Sequence, residues 1–128
     1  LCGSRELIKS AHRWRKMLGG GMRQAGLLAA AAHHALDHQV KRLVEDHALA
    51  KRLAEGLQGL PGLTVEAPQT NIVFCDVDKG IAAKLVEHLK SECVLTTGLY
   101  KLRFVTHLDV DATGVDRAVA ATRRFFNA

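Results

Sequence analysis

Apolar residues recur at helical spacing through the first sixty positions, and the period switches to alternation after Leu60-Pro61-Gly62. Ser4 suits a helix N-cap, with Glu6 in the first turn, and Leu7, Ile8, Ala11, Trp14 and Arg15 keep helical intervals to about Lys16. That spacing predicts an inward Trp14, with Arg13 and Lys16 pointing elsewhere. Leu1-Cys2, before the cap, reads as the end of a strand. Gly19–Gly21 stop the helix, because each glycine costs about 1 kcal/mol against alanine in a helix interior. A second helix is predicted from near Met22 through AGLLAAAAHHALDH, and its small side chains suit close crossing of other helices. A third pattern places Val40, Leu43, Val44, Ala48, Leu53 and Leu57 near one stripe, with Asp37-His38 as the expected break before it.

Beyond Pro61 the chain reads as LTVEA and TNIVFCDV, two strands, the second setting Ile72, Phe74 and Asp76 against Val73, Cys75 and Val77. A helix over Lys79–Ser91 follows, then strands CVLTTG and KLRFVTH around a turn at Gly98-Leu99, then an amphipathic helix from about Asp111. The order from residue 63 is β-β-α-β-β-α, which predicts a small antiparallel sheet covered by helices on one face. With the helices that precede it, the chain is α+β. Residues 1–21 read as the end of one domain, 22–60 as connecting helices and 61–128 as a complete small domain.

Composition narrows the class. Hydrophobic residues make up 48% of the 128, which excludes disorder, and no apolar run approaches membrane-spanning length. The N-terminus carries no secretory-signal pattern. Cys2, Cys75 and Cys93 are scattered, odd in number and without metal-ligand spacing, a pattern that favours a reducing compartment such as the cytoplasm. The pattern leaves a mitochondrial location open as the secondary reading. Cys75 and Cys93 read as small buried hydrophobes.

The net charge of +5 is local. Residues 1–23 hold Arg5, Lys9, Arg13, Arg15, Lys16 and Arg23 against Glu6 alone, while the remaining 105 residues balance twelve bases with twelve acids. Such an excess suggests an anionic ligand at that segment. In GGGMRQAG, glycines let backbone N–H groups approach an anion, and Arg23 adds a bidentate donor in the predicted helix's first turn. The segment matches neither a Walker pattern nor GxGxxG, so a flexible link between helices explains the glycines equally well. Arg103 lies in KLRFVTHLDV with Leu102 and Phe104 on the opposite face. It reads either as a carboxylate clamp or as an exposed edge-strand arginine.

The histidines carry less. His107 reads as a hydrogen-bonding residue at a strand end. His33, His34, His38 and His47 fall on helical positions, and His34 and His38 are spaced i,i+4, but without a third ligand they make no metal site. The basic helix around Trp14 lacks the aromatic interleaving that nucleic-acid binding uses.

RWRKMLGGGMRQAG, the alanine-rich helix and the VxRLxEDHxxAxxLAEGL pattern after it together resemble the low-specificity L-threonine aldolases. TNIVF at Thr70–Phe74 and LRFVTHLDV at Leu102–Val110 resemble further segments of that family in the same order, so the likeness covers essentially the whole chain. The family's enzymes are pyridoxal-phosphate lyases of the aspartate-aminotransferase fold type, α/β overall. The resemblance implies retro-aldol cleavage of L-threonine or L-allo-threonine to glycine and acetaldehyde, in a homotetramer built from active-site dimers.

It further implies that Arg23 lies near the cofactor phosphate, donated across the dimer interface, that Lys16 lines the same pocket, and that Arg103 holds the substrate carboxylate. Residues 1–21 would then close the large cofactor-binding domain. The family's Schiff-base lysine sits in a segment of the type SKGLGAPVGS, expected upstream of Leu1. The histidine that stacks on the cofactor and the acidic partner of its ring nitrogen are expected there too. The chain alone is therefore expected to be inactive, with no catalytic residue and no metal ligand of its own. The alternative from another class is a stand-alone module that grips an anion or an acidic protein surface without catalysis. An amino-acid substrate and a second copy are the partners implied; nucleic acid and membrane are not.

Overall fold

The computed structural model describes residues 1–127, which fold as two units, Leu1–Val40 and Lys41 onward. In the first, α1 spans Arg5–Met17 and α2 spans Gly26–His38. Ser4 caps α1 as expected, its hydroxyl accepting from the Leu7 N–H at 3.2 Å. Helix α2 starts four residues later than predicted, without a side-chain cap, because Gln24 turns into the left-handed region at φ 52°. Arg23 therefore sits in a turn before the helix and not in its first turn. The expected break after Asp37-His38 is observed, with α2 ending at His38.

No residue of the first unit is buried. Trp14, expected inward, is 56% exposed, and Leu27, Leu28 and Leu36 of α2 are exposed as well. Periodicity reported the apolar side of these helices, but nothing within the unit covers it. Leu1-Cys2 forms no strand.

The second unit opens with a single 3₁₀ turn ending at Arg42 and continues as α3 (Leu43–Leu57). Strands β1 (Leu63–Val65) and β2 (Ile72–Val77), helix α4 (Lys79–Ser91), strand β3 (Lys101–Val105) and helix α5 (Ala112–Asn127) complete it. The sheet is antiparallel in the order β1-β2-β3, with Val65 opposite Cys75 and Cys75 opposite Leu102. Alternation sends Val73, Cys75, Val77, Leu102 and Phe104 into one core with Leu53 and Leu57 of α3, Leu85 and Leu89 of α4 and Val115 of α5. A fully buried leucine of this kind contributes about 2 kcal/mol. The α+β architecture with helices over one sheet face is thus the observed one.

In the second unit three further expectations are corrected. CVLTTG is not a strand: Cys93 turns at φ 60°, and only Thr97 makes a bridge, to Arg103. Consequently the order is β-β-α-β-α. Cys93 is exposed instead of buried, whereas Cys75 is buried as expected. The buried stripe of α3 is Asp46, Ala50, Leu53, Ala54 and Leu57, leaving Val44 and Ala48 exposed.

Asp46 explains that rotation. Its carboxylate is 2% exposed and accepts two hydrogen bonds from Arg42, Nη1 to Oδ2 at 3.0 Å and Nη2 to Oδ1 at 2.7 Å. Its carbonyl accepts from the buried Thr106 hydroxyl at 2.7 Å. Thr106 exchanges further bonds with Asn71: the Thr106 N–H donates to the Asn71 carbonyl at 3.0 Å, and Asn71 Nδ2 donates to the Thr106 carbonyl at 2.8 Å. One polar network therefore pins α3, the start of β2 and the end of β3 together.

Arg42→Ala leaves the Asp46 carboxylate buried without its partner and should cost about 3 kcal/mol, read as a lowered urea midpoint. An unchanged midpoint would contradict the pairing. Cys75 is fully buried, and burial first, then the Asp76 and Glu66 carboxylates, push its thiol up to about 12. At pH 8 a thiol reagent should therefore titrate Cys2 and Cys93 in the folded protein and Cys75 only after unfolding.

Candidate functional site

The basic segment of the first unit is organised by the end of α1. Leu18 is the C-cap, and Gly19 takes φ 84°, where a side chain would be strained. The Gly19 N–H donates to the Lys16 carbonyl at 3.2 Å and the Gly20 N–H to the Arg15 carbonyl at 2.7 Å. This pair of bonds is a Schellman cap. Two of the three glycines therefore spend their N–H groups on helix carbonyls, and neither is free to hold an anion. A cradle of three N–H groups is therefore not formed, and the basic side chains around the turn are what the segment offers an anion.

Lys16 and Arg23 are both exposed, and neither makes an ion pair among the described residues. Lys16 Nζ lies over the bare Cα of Gly21, where an added Cβ would meet it at 2.8 Å. Gly21 thus leaves room for the ammonium group. A lysine and an arginine flanking a glycine turn fit a phosphate through their side chains.

Arg103 belongs to the second unit, so Lys16 and Arg23 share a unit and Arg103 does not. The β2–β3 register turns Leu102 and Phe104 inward and Arg103 outward, opposite Phe74. The guanidinium lacks a carboxylate partner among the described residues. Lys101, two residues earlier on the same face, is tied to Glu66, and that hydrogen bond holds its amine above the usual lysine range. Arg103 lines a cavity of about 210 Å³ with Leu95, Thr96, Thr97, Val105 and His107. His107 is exposed, and its Nδ1 accepts from the Asp109 N–H at 3.3 Å, consistent with a hydrogen-bonding strand-end residue.

The remaining histidines stay on helical surfaces. The rings of His34 and His38 lie 4.4 Å apart, and His33 Nδ1 lies 3.6 Å from Asp37. Among the described residues they gather no third ligand.

Sequence reasoning missed the residues that hold Arg103. Its N–H donates to the Thr97 carbonyl at 2.8 Å, and its carbonyl accepts from the Thr96 hydroxyl at 3.0 Å and the Thr97 N–H at 3.4 Å. Gly98, at φ 87°, makes that approach possible, because a Cβ there would lie 2.1 Å from the Lys101 carbonyl oxygen. The glycine itself was the visible signal.

The model of the beta-eliminating lyase family matches residues 1–80. The chain is 46% identical over 125 residues to a low-specificity L-threonine aldolase of Escherichia coli K12, covering 98% of this chain and 37% of that protein. It is 38% identical over 122 residues to low-specificity L-threonine aldolase 1 of Arabidopsis thaliana, covering 90% and 34%. Among solved structures, the cystine C-S lyase C-DES, in complex with cysteine persulfide, superposes with a TM-score of 0.58 at 23% identity over 77% of this chain and 28% of that one, which shows a shared fold. The chain spans little more than a third of the length of these curated relatives.

Gly98→Ala should cost about 2 kcal/mol or more, since left-handed strain and backbone overlap combine there. The measurement is the urea midpoint together with hydrogen exchange at the Arg103 amide. An unprotected amide in the unsubstituted protein would contradict the bridge to Thr97.

Proposed function

The chain belongs to the beta-eliminating lyase family, and from that premise we propose that it is the C-terminal portion of a pyridoxal-phosphate-dependent lyase. Its reaction is cleavage of L-threonine or L-allo-threonine to glycine and acetaldehyde. The observation that carries this reading is Arg103, an outward guanidinium without a carboxylate partner among the described residues, fixed at a sheet edge beside a cavity. An arginine so placed can grip the carboxylate of an amino acid with two parallel hydrogen bonds. Holding that group fixes the direction of the Cα–Cβ bond, which is a matter of orientation and not of proton transfer. Pyridoxal phosphate, when bound, supplies the sink for the electrons of the breaking bond. Lys16 and Arg23 fit its phosphate.

The same reading assigns residues 1–21 to the end of the large cofactor-binding domain, 22–60 to connecting helices and 61–128 to the small domain. Arg23 serves the site of a neighbouring subunit, in a tetramer of active-site dimers. The lysine that attaches the cofactor lies upstream of Leu1, so the 128-residue chain by itself is inactive. The uncovered Leu27, Leu28 and Leu36 on α2 support a longer protein, because three exposed leucines spread around one helix call for covering surfaces. Cysteine usage supports a reducing compartment. Among the described residues no helix is long and apolar enough to cross a membrane.

In the complete enzyme, Arg103→Ala should raise the KM for L-threonine by roughly 10- to 100-fold, the worth of a charge-assisted bidentate contact, while cofactor retention stays unchanged. Arg23→Ala should do the opposite, loosening pyridoxal phosphate on dialysis. Equal loss of substrate use and cofactor in both variants would contradict the division of roles.

A further inference from the structure

In an antiparallel ladder, residues alternate between pairs that exchange hydrogen bonds and pairs whose backbone groups point away. Arg103 opposite Phe74 is of the second kind, because its N–H and carbonyl bond outward to Thr97 and Thr96. Strand β3 is the edge of the sheet, so the sheet supplies no hydrogen bond to the peptide groups of Arg103 on that side. They are held by a strap, residues 96–98, running along the outer edge. Of the two donors to the Arg103 carbonyl, the Thr96 hydroxyl is the closer, at 3.0 Å against 3.4 Å for the Thr97 N–H.

The strap also walls the cavity beside the guanidinium, with Thr96 and Thr97 in a lining that includes His107. Its path is tightly specified. Gly98 passes so near Lys101 that no Cβ fits, and Cys93 turns in the left-handed region at the loop's start.

We propose that Thr96 is a positioning residue for carboxylate recognition, fixing the backbone from which Arg103 projects. The proposal rests on the carboxylate role of Arg103 argued above. Carboxylate recognition by a planar, two-pronged donor is sensitive to direction as well as distance. Small displacements of the edge strand therefore alter amino-acid affinity before they alter the fold. Thr96 touches neither substrate nor cofactor in this role.

The test uses the complete enzyme with Thr96→Val, which keeps the shape and removes the donor, Thr96→Ser, which restores it, and Arg103→Ala. The readouts are the KM and kcat for L-threonine, the glycine dissociation constant by calorimetry, and pyridoxal-phosphate retention. Thr96→Val should raise the KM and the glycine dissociation constant three- to tenfold, with kcat and cofactor retention within twofold and Thr96→Ser close to the unsubstituted enzyme. A purely structural role would lower the melting temperature of Thr96→Val and leave both constants unchanged, which overturns the proposal. Weakening by Thr96→Ser equal to that by Thr96→Val overturns it too. If Arg103→Ala weakens glycine binding but Thr96→Val does not, positioning fails while the carboxylate role stands. If Arg103→Ala leaves glycine binding unchanged, both fail.

Discussion

Cys75 sits opposite Leu102 in the ladder between β2 and β3, and that register decides where the candidate chemistry of the second unit points. A slip of one residue would exchange the faces of the strand, burying Arg103 and Lys101 and exposing Leu102 and Phe104. Burial of those two apolar side chains against α3 and its neighbours opposes the slip, and the Asn71–Thr106 exchange locks the end of the ladder. The outward guanidinium is thus a by-product of core formation. It is aimed by apolar burial on the other face.

The strongly periodic parts of this arrangement were legible in the sequence. Six residues of alternation in β2 and the intervals of α4 and α5 left one sensible reading, and the strand carrying Arg103 followed from Leu102 and Phe104. What escaped was set by pairing between distant groups. Asp46 was not part of the stripe expected for α3, because a charged residue is buried only when a partner such as Arg42 reaches it, and hydropathy does not record partners. CVLTTG has strand-forming residues, yet it meets β3 only at Thr97, so local preference had too few ladder bonds to act on. Trp14 was misplaced for the converse reason: helical spacing identifies a face without saying whether anything covers it.

The three glycines were the most visible feature of the chain and the most easily misread. Charge and backbone freedom together suggested a cradle of N–H groups. Instead Gly19 and Gly20 finish α1, and the cations act as side chains presented around that turn. Position mattered more than composition, since a glycine just past the last periodic residue of a helix is first of all a C-cap. The excess of +5 stays within residues 1–23, and it is carried by exposed side chains, with Lys16 and Arg23 the pair that flank the glycines.

These contacts bind and orient, and the account assigns covalent attachment of the cofactor to a lysine outside this chain. The most direct test is to incubate the 128-residue protein with pyridoxal phosphate, reduce with borohydride and map the products by mass spectrometry. The account predicts only scattered, substoichiometric pyridoxyl-lysine and no cleavage of threonine. A single lysine labelled stoichiometrically, in a protein that releases glycine from threonine, would contradict it.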